Sequence, residues 1–379
     1  MNSPIYLDYH ATTPVDARVV EAMLPYFTKY FANPSGAHIG AWQAKEACEK
    51  ARLTHAQILS SNADEIYFTA SATEANNWVF YSVAENYADK EKFRIITSPI
   101  EHKSVLKACE KYGANLQVDF VKVDANGIVD LNHLEELLKQ TGALMVSIMH
   151  GNNEIGSVQS LAAIAGLCKQ YDAFFHTDAV QTFAKYDIDV SKIPIDFLSW
   201  SAHKFYGPKG VGGVYVKNGI HLKPLLVGGA HEKSLRASTL NVPGIVGMAE
   251  AAKLTYNLRK EESARLKKMR DELQNLISNL LEKNDIQFRI NNNSEERLVN
   301  NLSISLGNRK LADMQANLRL LCYSTGSACS SGTGEVSHVL KAIGLEDDYA
   351  RNTLRLSLGR MTTTQELDSA LDILNQALE

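Results

Sequence analysis

Between residues 16 and 250 short apolar runs alternate with helical patterns, and this alternation limits the possible folds more than any other feature of the chain. Glu65–Thr69, Arg94–Thr97, Leu144–Met149, Ala173–Thr177 and Asp196–Trp200 read as strands. Helical patterns start at Thr73 and run over Lys103–Tyr112 and Leu161–Tyr171. A Gly-Pro-Lys-Gly turn at Gly207–Gly210 returns Val211–Val216 as a further strand. Apolar strands separated by helices predict a mainly parallel sheet covered on both faces. Past residue 250 the texture changes. Ala249–Glu282 reads as a long amphipathic helix with a break near Arg259-Lys260-Glu261, whose charges form a solvated face. Strand patterns follow at Gln287–Ile290, Val299–Leu306 and Leu354–Leu358, and a last helix runs from Gln365. The expected organisation is a large α/β domain over residues 16–250, with a smaller α+β domain made of residues 1–15 and 251–379.

A chain of 379 residues with 45% hydrophobic composition can bury cores of this size. Its net charge of −4 argues against a nucleic-acid partner, and no apolar run approaches the roughly 20 residues of a membrane span. The start, Met1-Asn2-Ser3-Pro4, lacks the pattern of a signal peptide, so the expected location is cytoplasmic. The five cysteines form no C-x-x-C pair, which argues against a zinc site or a disulfide framework. Cys48, Cys109 and Cys168 sit in helical patterns and read as small buried hydrophobes, and Cys322 as core.

Ligands of open α/β sheets bind beyond the carboxyl ends of the strands. Four such ends carry polar clusters: Ser71-Ala72-Thr73-Glu74, Pro99-Ile100-Glu101-His102, Asp178-Ala179-Val180-Gln181 and Ser201-Ala202-His203-Lys204. Ser71-Ala72-Thr73, where strand turns to helix, suits a phosphate. Taken alone it is equally a plain N-cap, the simpler reading. No G-x-G-x-x-G or G-x-x-x-x-G-K-[ST] loop is present. Asp178 ends an apolar strand, either as the anion partner of a pyridinium nitrogen or as a helix cap. Lys204 lies between Trp200 and the Phe205-Tyr206-Gly207-Pro208 turn, where desolvation would free its amine for Schiff-base chemistry. A lone lysine is more often a snorkelling surface residue, but Ser201 and His203 add phosphate-binding types beside it. Cys329 lies in Ser324–Gly334, a run of small residues that cannot bury much; a thiol there can be a nucleophile that travels.

At this point the residues resemble a family: the cysteine desulfurases, in the fold type I group of pyridoxal-phosphate enzymes near the class V aminotransferases. The resemblance runs from Tyr6-Leu7-Asp8-Tyr9-His10-Ala11-Thr12-Thr13-Pro14 to Arg355-Leu356-Ser357-Leu358-Gly359-Arg360. Between them lie Asn33-Pro34-Ser35, Ser71–Asn77, Glu101-His102, Asn152–Gly156, Asp178–Gln181 and Ser201–Lys204. It implies a seven-stranded, mainly parallel sheet and pyridoxal 5′-phosphate as cofactor. Lys204 would then be the Schiff-base lysine, Asp178 the partner of the ring nitrogen, and His102 the stacking residue and proton shuttle. Gln181 and Asn153 would bond the ring oxygen, and Ala72, Thr73, Ser201 and His203 would surround the phosphate. Thr239 would reach the partner subunit's phosphate, which implies a homodimer. Arg355, with Asn33 nearby, would hold the substrate carboxylate, and Cys329, on a loop of about residues 322–336, would take the sulfur of L-cysteine.

That loop resembles those of the group that passes sulfur to iron–sulfur scaffold proteins. The pattern departs from the family where glycines are replaced by Ala230, Ser234 and Ser238, and His10 fills a variable slot. The chain stops soon after its last helix, so docking through an extended tail is not expected. Selenocysteine lysis or another class V reaction is the alternative, since the same residues could serve it; transamination has no use for a thiol on such a loop. A degenerate, non-catalytic homologue would have lost Lys204, Asp178 or Cys329, and all three are present.

Overall fold

The computed structural model describes residues 4–87, 94–113, 117–140, 142–325 and 336–378. A short strand, β1 (Ile5–Tyr6), opens the chain. The main sheet contains β2 (Ile66–Thr69), β3 (Arg94–Thr97), β4 (Gln117–Phe120), β5 (Ala143–Ser147), β6 (Phe174–Asp178), β7 (Phe197–Ser201) and β8 (Gly212–Val216). Their order is β2-β8-β7-β6-β5-β3-β4, with β8 antiparallel to both neighbours and the β7-to-β4 pairs parallel. The seven-stranded, mainly parallel sheet is therefore as expected.

Strands β3, β7 and β8 are buried along their whole length, polar Thr97, Ser199 and Ser201 included, as central strands covered on both faces are. Trp200 of β7 stacks on Phe183 at 4.5 Å and 7°, worth about 0.5–1.5 kcal/mol beyond area burial. Gly213 makes room for that indole, because any Cβ there would collide with the ring. This packing fixes the end of β7, where Ser201 leads into Lys204.

Beyond the main sheet, β9 (Phe288–Ile290), β10 (Asn301–Leu306) and β12 (Thr353–Ser357) form an antiparallel sheet in the order β12-β10-β9. A two-residue strand, β11 (Leu321–Cys322), pairs in parallel with β1, so the first residues of the chain lie against its last quarter. The helix Val242–Lys283 spans 42 residues. Ile245, Met248, Ala251 and Ala252 join the core of the main sheet, whereas Leu266, Met269, Leu273, Ile277 and Leu281 join the core of the smaller one.

Two expectations need correction. The long helix starts at Val242, not Ala249, and is unbroken at Arg259-Lys260-Glu261. Arg259 bonds Asp187 and lies over the Tyr256 ring, so the charged stretch is anchored to its surroundings. Cys322 is half-buried rather than core. Cys48, Cys109 and Cys168 are buried in helices, and burial pushes all three thiols up, away from the thiolate form. Cys329 lies outside the described residues.

Candidate active site

The carboxyl ends of β3, β5, β6 and β7 converge because those strands run parallel. They border a cavity of about 280 Å³, closed on the opposite side by His10 and Ala11, by His338 and by Arg355 of β12. Of the residues singled out in the sequence, Ala72, Thr73, His102, Asn153, Asp178, Gln181, Ser201, His203, Lys204 and Arg355 all line this one cavity.

Lys204 follows β7 in a single 3₁₀ turn, and its Nζ donates to the carbonyls of His10 and Ala11 at 2.6 and 2.7 Å. The N-terminal segment thus holds the amine at the cavity wall. Gln181 Nε2 donates to the same His10 carbonyl at 3.0 Å, while its buried Oε1 has no partner among the described residues. His203 is half-buried with Nδ1 3.1 Å from Thr12 Oγ1, and burial with nearby Lys204 lowers its pKa to about 4. Ser71 is the N-cap of helix Ala72–Tyr87, its Oγ accepting from Glu74 N at 3.2 Å. The capping reading therefore holds for Ser71, and Thr73 in the first turn faces the cavity.

Asp178 ends β6 with 4% exposure. Its Oδ1 accepts from Val180 N at 3.0 Å and its Oδ2 from Asn76 Nδ2 at 2.9 Å. Asn76 Nδ2 also donates to Ser104 Oγ at 2.9 Å, and Ser104 Oγ lies 2.8 Å from His102 Nδ1. His102 is the N-cap of helix Lys103–Tyr112, its Nδ1 accepting from Ser104 N at 3.1 Å.

Arg355 is 1% exposed. Its Nη2 pairs with Asp8 Oδ1 at 2.6 Å, its Nη1 donates to the Asn153 carbonyl at 3.2 Å, and its buried Nε has no partner among the described residues. Ser324 Oγ donates to the Asp8 carboxylate, 3.1 and 3.0 Å from its two oxygens, and the Ser324 and Arg355 backbones bond each other in both directions.

Asn33 does not line the cavity; it is exposed, and its side chain accepts from Ser35 N. Thr239 borders a separate pocket of about 190 Å³ beside Arg236 and Ser238. Ser234 and Ser238, read in the sequence as replacing glycines, have left-handed backbone, with φ of 66° and 97°. Glu232, at φ 43°, is locked by Arg52 and by Phe68 N, so the segment holds its path without those glycines.

Several cavity residues, Glu101, Glu154, His338 and Ser104 among them, had no assigned role in the sequence reading. Glu101 Oε1 accepts from Ser98 Oγ and Met149 N, its buried Oε2 has no partner among the described residues, and burial raises its pKa to about 8. Glu154 bonds Ser337 Oγ, and burial raises it to about 7. His338 Nε2 donates to the Glu101 carbonyl at 2.9 Å. The Glu101-His102 pair was visible as a motif, but nothing in the sequence pointed to His338. Among the described residues no group of three or more His, Cys, Asp or Glu could hold a metal ion, and no helix is long and apolar enough to cross a membrane.

A half-buried amine and a buried aspartate on the same cavity, with a helix start bearing small residues and a buried arginine, suit an amino-acid substrate and an anionic, pyridine-type cofactor. The chain belongs to the class-V aminotransferase family, which matches residues 5–370. It is 40% identical to the cysteine desulfurase IscS of Histophilus somni, covering 100% of this chain and 94% of that protein. The IscS of Rickettsia felis is 39% identical over 98% of this chain and 90% of its own length. Among solved structures, a NifS-like protein matches with a TM-score of 0.91 at 36% identity, covering 99% of both chains. A structure described as SspA in complex with cysteine matches with a TM-score of 0.83 at 36% identity, over 93% of this chain and 98% of that one. Enzymes of this family use pyridoxal phosphate.

Proposed function

We propose that this protein is a cysteine desulfurase that removes sulfur from L-cysteine, leaves L-alanine, and carries the sulfur as a persulfide on Cys329. The observation that supports it most is the meeting of Lys204, Asp178 and Arg355, from three distant parts of the chain, on one cavity. The names of the relatives, and the cysteine bound to one structural neighbour, favour this reading over selenocysteine lysis.

The donor set fits pyridoxal phosphate. Asp178 would offer an anion for the ring nitrogen, and Gln181, whose Nε2 uses one hydrogen on the His10 carbonyl, would have a second to give the ring oxygen together with Asn153. Ala72, Thr73, Ser201 and His203 would hold the phosphate at the start of helix Ala72–Tyr87. Bound there, the cofactor would supply a carbonyl carbon for amines and an electron sink.

The chain's own groups do the rest. Lys204 would hold the cofactor through its amine, and the His10 and Ala11 carbonyls, which accept from that amine here, would keep it at the cavity wall whenever it is free. Arg355 binds the substrate carboxylate, using donors that Asp8 and Asn153 orient. The Cys329 sulfur bonds to the substrate sulfur as the carbon–sulfur bond breaks. One thiol and one cysteine thereby become one persulfide and one alanine, with no outside oxidant. A reductant or an acceptor protein, such as an iron–sulfur scaffold, then takes the sulfur.

The same reading includes a cytoplasmic homodimer and a division into residues 16–250 and residues 1–15 with 251–379. Two features support a second copy. Leu24, Phe27, Phe31, Ile39 and Trp42, all within twenty residues of chain, are each more than half exposed, a density of exposed apolar side chains of the kind that interfaces cover. Thr239 also lies outside its own subunit's cavity.

The deciding experiment is incubation with L-cysteine, with and without dithiothreitol, while alanine and sulfide are measured. Wild type should release both in equal amounts with reductant, and Cys329→Ala should bind cysteine but release neither. Full turnover in Cys329→Ala would overturn the role of that thiol, and no alanine from wild type would overturn the function.

A further inference from the structure

His10, a residue of variable type in the sequence reading, touches both sides of the cavity. Its N–H donates to Ser357 Oγ at 2.9 Å, and Ser357 lies two residues from Arg355 on β12. Side chains two apart on a strand share a face, so Ser357 and Arg355 move together. The His10 carbonyl accepts from Lys204 Nζ at 2.6 Å and from Gln181 Nε2 at 3.0 Å. The ring lies between two oxygens. Its Nδ1 is 3.1 Å from the Asn153 carbonyl, which also accepts from Arg355 Nη1, and its Nε2 is 3.0 Å from Asn300 Oδ1. Asn300 Nδ2 donates to the Leu358 carbonyl at 2.8 Å, so Asn300 is itself tied to the end of β12. The whole residue is 1% exposed. Burial, with Arg355 and Lys185 nearby, lowers its pKa to about 3, so the ring stays neutral. A neutral ring has one hydrogen, and so it bonds one of the two oxygens and packs against the other.

An amino acid in this cavity shows its carboxylate to one wall and its amine to the other. Arg355 and the Asn153 carbonyl that orients it belong to the first wall, Lys204 and Gln181 to the second. We propose that His10 is a positioning residue that sets the gap between these walls, so that the site fits the one-carbon separation of amine and carboxylate in an α-amino acid and rejects longer spacings. This deepens the proposed function and rests on its reading of the cavity as an amino-acid site. The N–H of His10 is held by the strand of Arg355, and its carbonyl holds Lys204 and Gln181. Those two backbone bonds alone would leave the peptide free to pivot about Ser357. The ring, buried between Asn153 and Asn300, opposes that pivot. Without it the carbonyl can shift, and Lys204 and Gln181 shift with it. A displacement of about 1 Å at a reacting group costs about a hundredfold in rate, so a modest slackening of this spacer is enough to matter.

The test is calorimetric titration of the cofactor-loaded protein with L-alanine and with β-alanine, which carries the same two charged groups one carbon further apart. Wild type should prefer L-alanine by roughly a hundredfold. His10→Ala should bind L-alanine about fivefold more weakly, as for the loss of one hydrogen bond, and its preference should narrow to roughly tenfold. His10→Asn, whose amide nitrogen can stand near the place of Nδ1, should restore most of the preference. No preference in wild type overturns the proposal. So does a wild-type preference in folded His10→Ala, even where both ligands bind more weakly, because a merely structural role weakens both alike. If His10→Ala does not fold, Ser357→Ala, which removes the partner of the His10 N–H, should narrow the preference in smaller degree, and a wild-type preference there overturns the spacer role. The proposed function fails separately: a protein that prefers L-alanine in this way but yields no alanine from L-cysteine is no desulfurase, and His10 keeps its role in it.

Discussion

Replacing Asp8 by Asn should make the site bind an amino acid more tightly. Arg355 is 1% exposed and its charge is met by Asp8 at 2.6 Å. In Asp8→Asn the amide oxygen can still accept from Arg355 Nη2 and the amide nitrogen can donate to Ser324 Oγ, so the shape survives while the negative charge is lost. Breaking a buried ion pair in this way costs about 3–5 kcal/mol. The Asp8 side chain keeps 15% exposure and the Asn153 carbonyl still accepts from Arg355, so the lower end, about 3 kcal/mol, applies. A substrate carboxylate on Arg355 restores the missing charge. Recovering half of the cost, about 1.5 kcal/mol, raises affinity about tenfold. The assay is calorimetric titration with L-alanine, which has the carboxylate and amine but no sulfur, alongside thermal midpoints with and without it. Asp8→Asn should melt lower than the parent when free, gain more from alanine, and show a Kd about tenfold lower. A Kd equal to or above the parent's in a folded variant would refute the idea that Asp8 and substrate share one guanidinium charge.

Three further outcomes follow from the site. Lys204→Ala should remove the visible absorption band of the purified protein, and an unchanged spectrum would refute the cofactor assignment. Ser238→Gly should stabilise by about 1 kcal/mol, because Ser238 is exposed and held at φ 97°; a thermal midpoint that fails to rise by about 1 °C would show that the serine is not strained. Burial raises Glu101 from 4.5 to about 8, so the unfolded chain releases this proton first and the group's contribution to stability falls as pH rises from 4.5 to 8, then levels off. Glu101→Gln should therefore show its greatest midpoint advantage over the parent above pH 8 and little near pH 4.5, and a difference independent of pH would refute the raised carboxyl.

The parts of the fold legible in the sequence were those whose side chains report their own surroundings. Helix Lys103–Tyr112 has one strongly apolar face and was placed to the residue. Strand β4 was missed because Gln117–Phe120 lies at the sheet edge, half exposed, with no apolar run to mark it. The start of the long helix was missed because Pro243, Gly244 and Gly247 look like breakers. Pro243 sits in the first turn, where proline fits, and Gly247 gives Met23 and Pro208 room to approach. In the site, Lys204, Asp178 and His102 stood out as unusual residues at strand ends. The link from Asp178 through Asn76 to Ser104 could not be read, because its bonds join residues 102 and 28 positions apart. The link from Asp8 to Arg355, 347 residues apart, was equally invisible.

The parallel pairing of β1 with β11 joins residues 316 apart, Ile5 to Leu321 and Tyr6 to Cys322. This has a consequence at the ribosome. The segment that will cradle Lys204 is made first, yet its strand partner is made near the end. At roughly 5–20 residues per second, about 15–60 s separates the two. Through that interval Ile5, Leu7 and Tyr9, all buried in the finished protein, have no β11 to lie against. A nascent chain with a bulky fusion ahead of Ile5 should be slow to complete its site even after the main sheet has formed, while a fusion after the last helix should leave that step untouched.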